Sequence, residues 1–168
     1  GVELLLRAFK EYQGEEYLLV FLGYGELESA VREVAASNDR VLLHPAVPPA
    51  ELLDYTGSAD NGVAIIENTC LSYYWCLPNK LFEYAMAGLA VVVSNLPEMA
   101  RVVRQARIGA VVESNEPSQL FAALDCVRAM NPAELTTNLS SCAEAYAWSQ
   151  QERVMMAAYR QHSIGGLS

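Results

Sequence analysis

Apolar runs alternate with segments of helical period from one end of the chain to the other. Val2 to Tyr12 carries Leu5, Leu6 and Phe9 on one helical face, and Glu26 to Ala36 carries Leu27, Ala30, Val31 and Val34 in phase. The same spacing predicts helices over 49–56, 79–87, 97–105, 117–130, 132 to about 146, and about 149 to 161. Pro48 and Pro49 start the first of these, and Gly88 ends the second. Between them lie short apolar strands over 17–22, 41–43, 62–66, 90–94 and 110–113.

Strands that are apolar throughout are buried on both faces, as in a parallel sheet with helices above and below. Regular alternation of strand and helix implies βαβ crossovers, so the fold class is α/β, a doubly wound parallel sheet with a helical C-terminal segment. Ligands in such sheets bind beyond the carboxyl ends of the strands. The loops that matter are therefore those after Leu22, Leu43, Ile66 and Ser94. Doubly wound domains ordinarily begin with a strand, whereas this chain opens inside a helix. The expectation is a single domain over 1–162 that lacks its first strand, with a flexible Gly/Ser-containing tail over 163–168.

Composition narrows the chemistry. At 168 residues the chain fits one domain, and its formal charge of -9 argues against a nucleic-acid partner. It does not argue against a nucleotide, since backbone amides and one cation can hold a phosphate. Lys10 and Lys80 are the two lysines, so the position of Lys80 carries information. The apolar runs are far shorter than a membrane span, and no basic region precedes an apolar one at the N-terminus; a cytoplasmic location is expected. Cys70, Cys76, Cys126 and Cys142 have no zinc spacing and are read as reduced thiols, a Cys70–Cys76 disulfide remaining the alternative. No metal and no cofactor is expected.

Four places are candidates for binding. Gly23-Tyr24-Gly25 follows a strand and precedes a helix, where glycine permits a tight turn or close ligand approach. Glu28 stands where the dinucleotide fingerprint needs a third glycine, so a plain βα turn remains equally open. The second is Pro78-Asn79-Lys80-Leu81-Phe82-Glu83-Tyr84. Its helix start turns the amides of Asn79, Lys80 and Leu81 toward the space above the sheet, an anion site. Lys80 there opposes the helix dipole by roughly 0.3–1 kcal/mol, which a bound anion would offset. Glu83, one turn on, can accept from two vicinal hydroxyls. The competing reading is an ordinary helix with a surface Lys80–Glu83 pair. The third is Glu67 to Leu77, whose Tyr73, Tyr74 and Trp75 can stack on a base, pack locally, or face another domain. His44, at a strand end, is either a structural histidine or a border of a base pocket, and His162 is expected to be solvated. No acid/base set stands out, so the catalytic residues are unassigned.

These segments together resemble the C-terminal domain of GT-B-fold retaining glycosyltransferases of the family 4 type. The likeness is carried by Gly1 to Phe9, Leu22-Gly23-Tyr24-Gly25-Glu26-Leu27, Val41 to Leu53 with Ala59-Asp60, and above all Lys80 to Ser94. The resemblance implies that the second glutamate of an E-x7-E signature, here Glu83, binds the donor ribose. It implies that the diphosphate rests on the amides of Asn79 to Leu81, that Gly23 and Gly25 approach the donor, and that the base lies near Leu43 to Ala46, with His44 beside it. It also implies a UDP- or GDP-sugar as substrate, a hexosyltransferase activity in the full-length enzyme, an N-terminal acceptor domain outside this chain, and an Arg/Lys pair ahead of Gly1. The isolated domain would be inactive, and the whole enzyme would associate peripherally with a membrane. Trp75 stands where the signature's first glutamate would fall, which leaves the sugar open. The alternative is a non-catalytic doubly wound nucleotide-binding or regulatory module.

Overall fold

The computed structural model describes residues 1–163. In chain order the elements are α1 (Val2–Glu11), β1 (Leu19–Leu22), α2 (Glu28–Ser37), β2 (Val41–His44), α3 (Leu52–Thr56), β3 (Asn61–Ala64), α4 (Leu71–Tyr74), α5 (Asn79–Met86), β4 (Ala90–Ser94), α6 (Pro97–Ala106), β5 (Gly109–Val112), α7 (Pro117–Arg128), α8 (Pro132–Tyr146) and α9 (Trp148–Ser163). The α/β class with parallel pairing and interleaved helices is as expected from the hydrophobic pattern.

The longest apolar run makes the best-buried strand. β4 sits between β3 and β5, parallel to both, and all five of its residues are buried. Its side chains alternate between two cores. Ala90 and Val92 join Leu5, Phe9, Leu120 and Val127 on one face, while Val91 and Val93 join Leu81, Met99, Val103 and Leu139 on the other. α1, α2 and α7 therefore cover one side, and α5, α6 and α8 the other, which is the doubly wound arrangement.

The strands do not form one continuous sheet. β1 pairs with β2, Leu19 opposite Val41 and Leu22 opposite His44, and this pair is not hydrogen-bonded to β3-β4-β5. Both sheets nonetheless pack on the same helix layer, since Leu19, Val41, Ala90, Val92 and Val112 belong to one cluster. α1 sets their relative direction. Its start abuts the end of β3, because a Cβ on Gly1 would meet the Ile65 carbonyl oxygen at 2.0 Å. At its end, the Phe9 carbonyl accepts from Asn38 Nδ2 at 2.8 Å, just ahead of β2. So β2 begins at the end of the molecule opposite to where β3 finishes, and the strands of both sheets point the same way.

Several boundaries differ from the sequence reading. The first strand starts at Leu19 rather than Tyr17, because Leu18 is exposed and the Tyr17 hydroxyl turns away to donate to Asp125 Oδ1 at 2.5 Å. The helix expected over 49–56 begins at Leu52, its front replaced by a turn closed from Glu51 N–H to the Pro48 carbonyl at 2.9 Å. α4 was not anticipated, since four residues are too few to show a period. All four cysteines are free, which removes the Cys70–Cys76 disulfide. α9 continues through Ser163, the first residue of the expected tail; the rest of that tail, 164–168, and the side chain of His162 lie outside the described residues.

Helix ends follow local rules. α5 closes with Gly88 N–H on the Ala85 carbonyl and Leu89 N–H on the Tyr84 carbonyl, and Gly88 takes φ +80. That pair of bonds with a left-handed glycine is the Schellman stop. α8 opens on Asn131, whose Oδ1 accepts from the amides of Ala133 and Glu134 at 3.0 and 3.1 Å. A cap of this kind contributes about 1 kcal/mol.

Candidate functional site

Because the strands run in one direction, the loops after β1, β2 and β3 open at one end of the molecule. The glycine turn follows β1. Gly23 has φ +132, a conformation that side-chain-bearing residues rarely adopt, and nothing lies within 4 Å of where a Cβ would stand. Gly25 is equally open. The turn is anchored from below, since the Gly23 amide donates to the His44 carbonyl at 3.1 Å and Glu28 N–H to the Gly25 carbonyl at 3.1 Å. His44 thus supports the turn through its backbone. Its ring lies 5.2 Å from that of Tyr55, and its Nδ1 is 2.8 Å from the Pro45 carbonyl oxygen. A carbonyl can only accept, so this bond places a proton on Nδ1.

The third loop runs from Ile65 to Pro78 and delivers α5. Its entry is fixed by Ser94, the one buried polar side chain among the described residues; Ser94 Oγ accepts from the Ile66 amide at 2.8 Å. Beyond it, Leu71, Tyr73 and Trp75 project into solvent, and Trp75 packs edge-on to Tyr74 at 5.0 Å. Among the described residues these aromatics are not covered by local packing. Cys76 turns inward, its Sγ 3.9 Å from Met99 Sδ, and burial pushes its thiol up, with Cys70 adding to the effect. A raised thiol is a weak nucleophile at neutral pH.

α5 begins at Asn79 with Pro78 as its N-cap, and no side chain caps it. The amide of Leu81 is not free as expected: it donates to the Pro78 carbonyl at 3.1 Å, closing a tight first turn. The amides of Asn79 and Lys80 are the ones left to a ligand. Asn79 and Lys80 are exposed, Leu81 is fully buried, and Glu83 is half-buried. The surface pair of the competing reading does not form, since among the described residues neither the Lys80 ammonium nor the Glu83 carboxylate makes an ion pair or a side-chain hydrogen bond. A cation and a carboxylate three residues apart, both unengaged, flank an uncapped positive helix terminus.

What holds this terminus in place was not read from the sequence. The Tyr84 side chain packs against β3 at Gly62, where a Cβ would come within 2.1 Å of the ring. Its hydroxyl donates to the Val63 carbonyl at 3.4 Å, and burial, reinforced by Glu83, raises its pKa. Tyr84 therefore stays a neutral donor and seats α5 on the sheet. The glycine inside a strand was the available signal, because such a glycine marks a close approach. Ser94, a polar residue ending an otherwise apolar strand, was the second.

Among the described residues no three His, Cys, Asp or Glu side chains gather as a metal site, and no helix is long and apolar enough to cross a membrane. Comparison with curated proteins finds no match. The model of the family described as glycosyl transferases group 1 matches residues 1–129. That span runs from α1 through α7 and includes the glycine turn, His44 and the whole of α5. The chain belongs to the group 1 glycosyltransferases, enzymes of the GT-B fold that transfer glycosyl groups.

Proposed function

We propose that this chain is the donor-binding domain of a retaining two-domain glycosyltransferase, and that it holds a UDP- or GDP-linked hexose at the start of α5. The observation that carries the reading is the pair of unengaged side chains, Lys80 and Glu83, beside the uncapped amides of Asn79 and Lys80. In this reading the diphosphate rests on those amides and on the Lys80 ammonium, which removes the dipole penalty Lys80 otherwise carries. Leu81 contributes by burial, seating the first turn rather than donating. Glu83 accepts from the two ribose hydroxyls. Gly23 and Gly25 leave room above the sheet, and His44 borders the base. Departure of the sugar leaves negative charge on the diphosphate, and preorganised amides and a cation stabilise that charge as it develops.

The acceptor binds on a second domain, so the isolated chain carries out no sustained transfer. The full-length enzyme works in the cytoplasm, at a membrane surface, with a nucleotide sugar as its small-molecule partner and without a bound metal or cofactor. The test is titration with UDP and with GDP while following thermal unfolding. One nucleotide at millimolar concentration is expected to raise the midpoint, and Lys80→Ala to abolish the rise. No shift with either nucleotide, in this chain and in the full-length protein, would overturn the reading.

A further inference from the structure

We infer that Trp75 is a sugar-contacting residue, its indole forming a platform under the less polar face of the transferred hexose. The inference rests on the donor reading for the place of the diphosphate and adds the far end of the ligand. A nucleotide sugar has a fixed order of parts: base, ribose, diphosphate, sugar. With the ribose at Glu83 and the diphosphate on the amides of Asn79 and Lys80, the ligand runs along α5 toward its start. Glu83 lies four residues inside that start, about 6 Å along the helix. The hexose therefore falls beyond the first turn of α5, on the side of the loop that delivers the helix.

That loop presents an aromatic surface there. Trp75 is 55% exposed and stands four residues ahead of Asn79, at most about 14 Å of chain. Of the exposed rings in the loop it is the nearest in sequence to the helix start. The segment is tied at both ends. Ser94 Oγ accepts from the Ile66 amide at 2.8 Å, and Cys76 Sγ lies 3.9 Å from Met99 Sδ. Between the ties α4 closes on itself, with Trp75 N–H on the Leu71 carbonyl and Cys76 N–H on the Tyr73 carbonyl, each at 3.2 Å. Among the described residues the indole pairs with one ring, that of Tyr74, at 5.0 Å and 80° between planes. In an edge-on pair at least one indole face stays clear of its neighbour, so Tyr74 braces the platform without covering it.

The chemistry suits a sugar. The face of an aromatic ring is negative, and the C–H bonds on one face of a pyranose turn their positive ends toward it. The indole Nε1–H adds one donor and no acceptor. Trp75 thus reads the C–H surface of a hexose, and it offers a hydroxyl group nothing to donate to.

The test is calorimetric titration of the full-length protein, and of its Trp75→Phe and Trp75→Ala variants, with UDP, UDP-glucose, GDP and GDP-mannose. For the nucleotide that binds, the ratio of its Kd to that of its sugar conjugate reads the sugar contact alone. Trp75→Ala is expected to weaken the conjugate about tenfold and to leave the bare nucleotide within about twofold. Trp75→Phe keeps a ring and should lose less than about threefold. A ratio unchanged in Trp75→Ala would overturn the inference and leave the donor reading standing. So would equal weakening of nucleotide and conjugate, or a lower unfolding midpoint at an unchanged ratio; either result puts the indole against protein rather than sugar. Failure of all these ligands to bind the unsubstituted protein would overturn the donor reading, and this inference with it.

Discussion

β4 and β1 are written in the same alphabet, Ala-Val-Val-Val-Ser against Leu-Val-Phe-Leu, yet they end in different circumstances. β4 has a strand on each side, helices on each face and no exposed residue. β1 has one neighbour, buries Leu19, and leaves Val20 half in solvent, as β2 does with Leu42. An apolar run states what a strand requires, and the sheet decides whether it is supplied. The candidate site straddles the two regimes. α5 and its Lys80 and Glu83 stand on the well-packed side, while the glycine turn and His44 ride on the two-stranded sheet.

The comparison is broken most easily at the packed side. Leu81→Ala opens a cavity beneath α5, where Leu81 is fully buried, and is expected to cost about 2–5 kcal/mol in urea unfolding. Val20→Ala should stay within about 0.5 kcal/mol. Similar losses from both would erase the distinction. Gly62→Ala forces a methyl into the Tyr84 ring and is expected to cost about 1–3 kcal/mol. Most of that cost should vanish in a Tyr84→Ala background, a double-mutant measurement that separates ring contact from strand propensity.

On the looser side, Gly23→Ala pits a side chain against φ +132, with an expected cost of about 1 kcal/mol. Gly25→Ala, in open space, should be nearly neutral in the same assay. The smallest effect concerns the clasp that ties β1 to α7. Burial, then the hydrogen bond to Asp125, pushes Tyr17 up to about 12. The folded protein thus favours the neutral phenol over an unfolded value of about 10. That contribution is whole below pH 10 and is lost as pH rises toward 12. Tyr17→Phe should flatten this alkaline part of the stability curve; a decline as steep as in the unsubstituted protein would show that the clasp does not titrate as described.

Much of the fold was legible because period and composition act locally. β4 fell where Ala90 to Ser94 predicted it, and α8 starts at Pro132 as expected. The split sheet was not legible, because pairing depends on residues remote in sequence and an apolar run looks alike with one neighbour or two. At the site, the helix start and the open glycines followed from turn and cap chemistry. The seating of α5 did not, since Tyr84 and Gly62 are 22 residues apart and only tertiary packing brings a ring onto a strand. The closed amide of Leu81 escaped for a smaller reason: whether a first turn tightens to bond Pro78 is settled by backbone angles rather than by residue type.

The central claim is that Glu83 holds the ribose of a nucleotide seated on α5. It is tested most directly by calorimetric titration of the full-length protein and its Glu83→Gln variant with UDP and GDP. For whichever nucleotide binds, a lost charged hydrogen bond of about 1.5–3 kcal/mol predicts a Kd about 10- to 100-fold weaker in the variant, at an unchanged unfolding midpoint. An equal Kd in the two proteins would contradict the account.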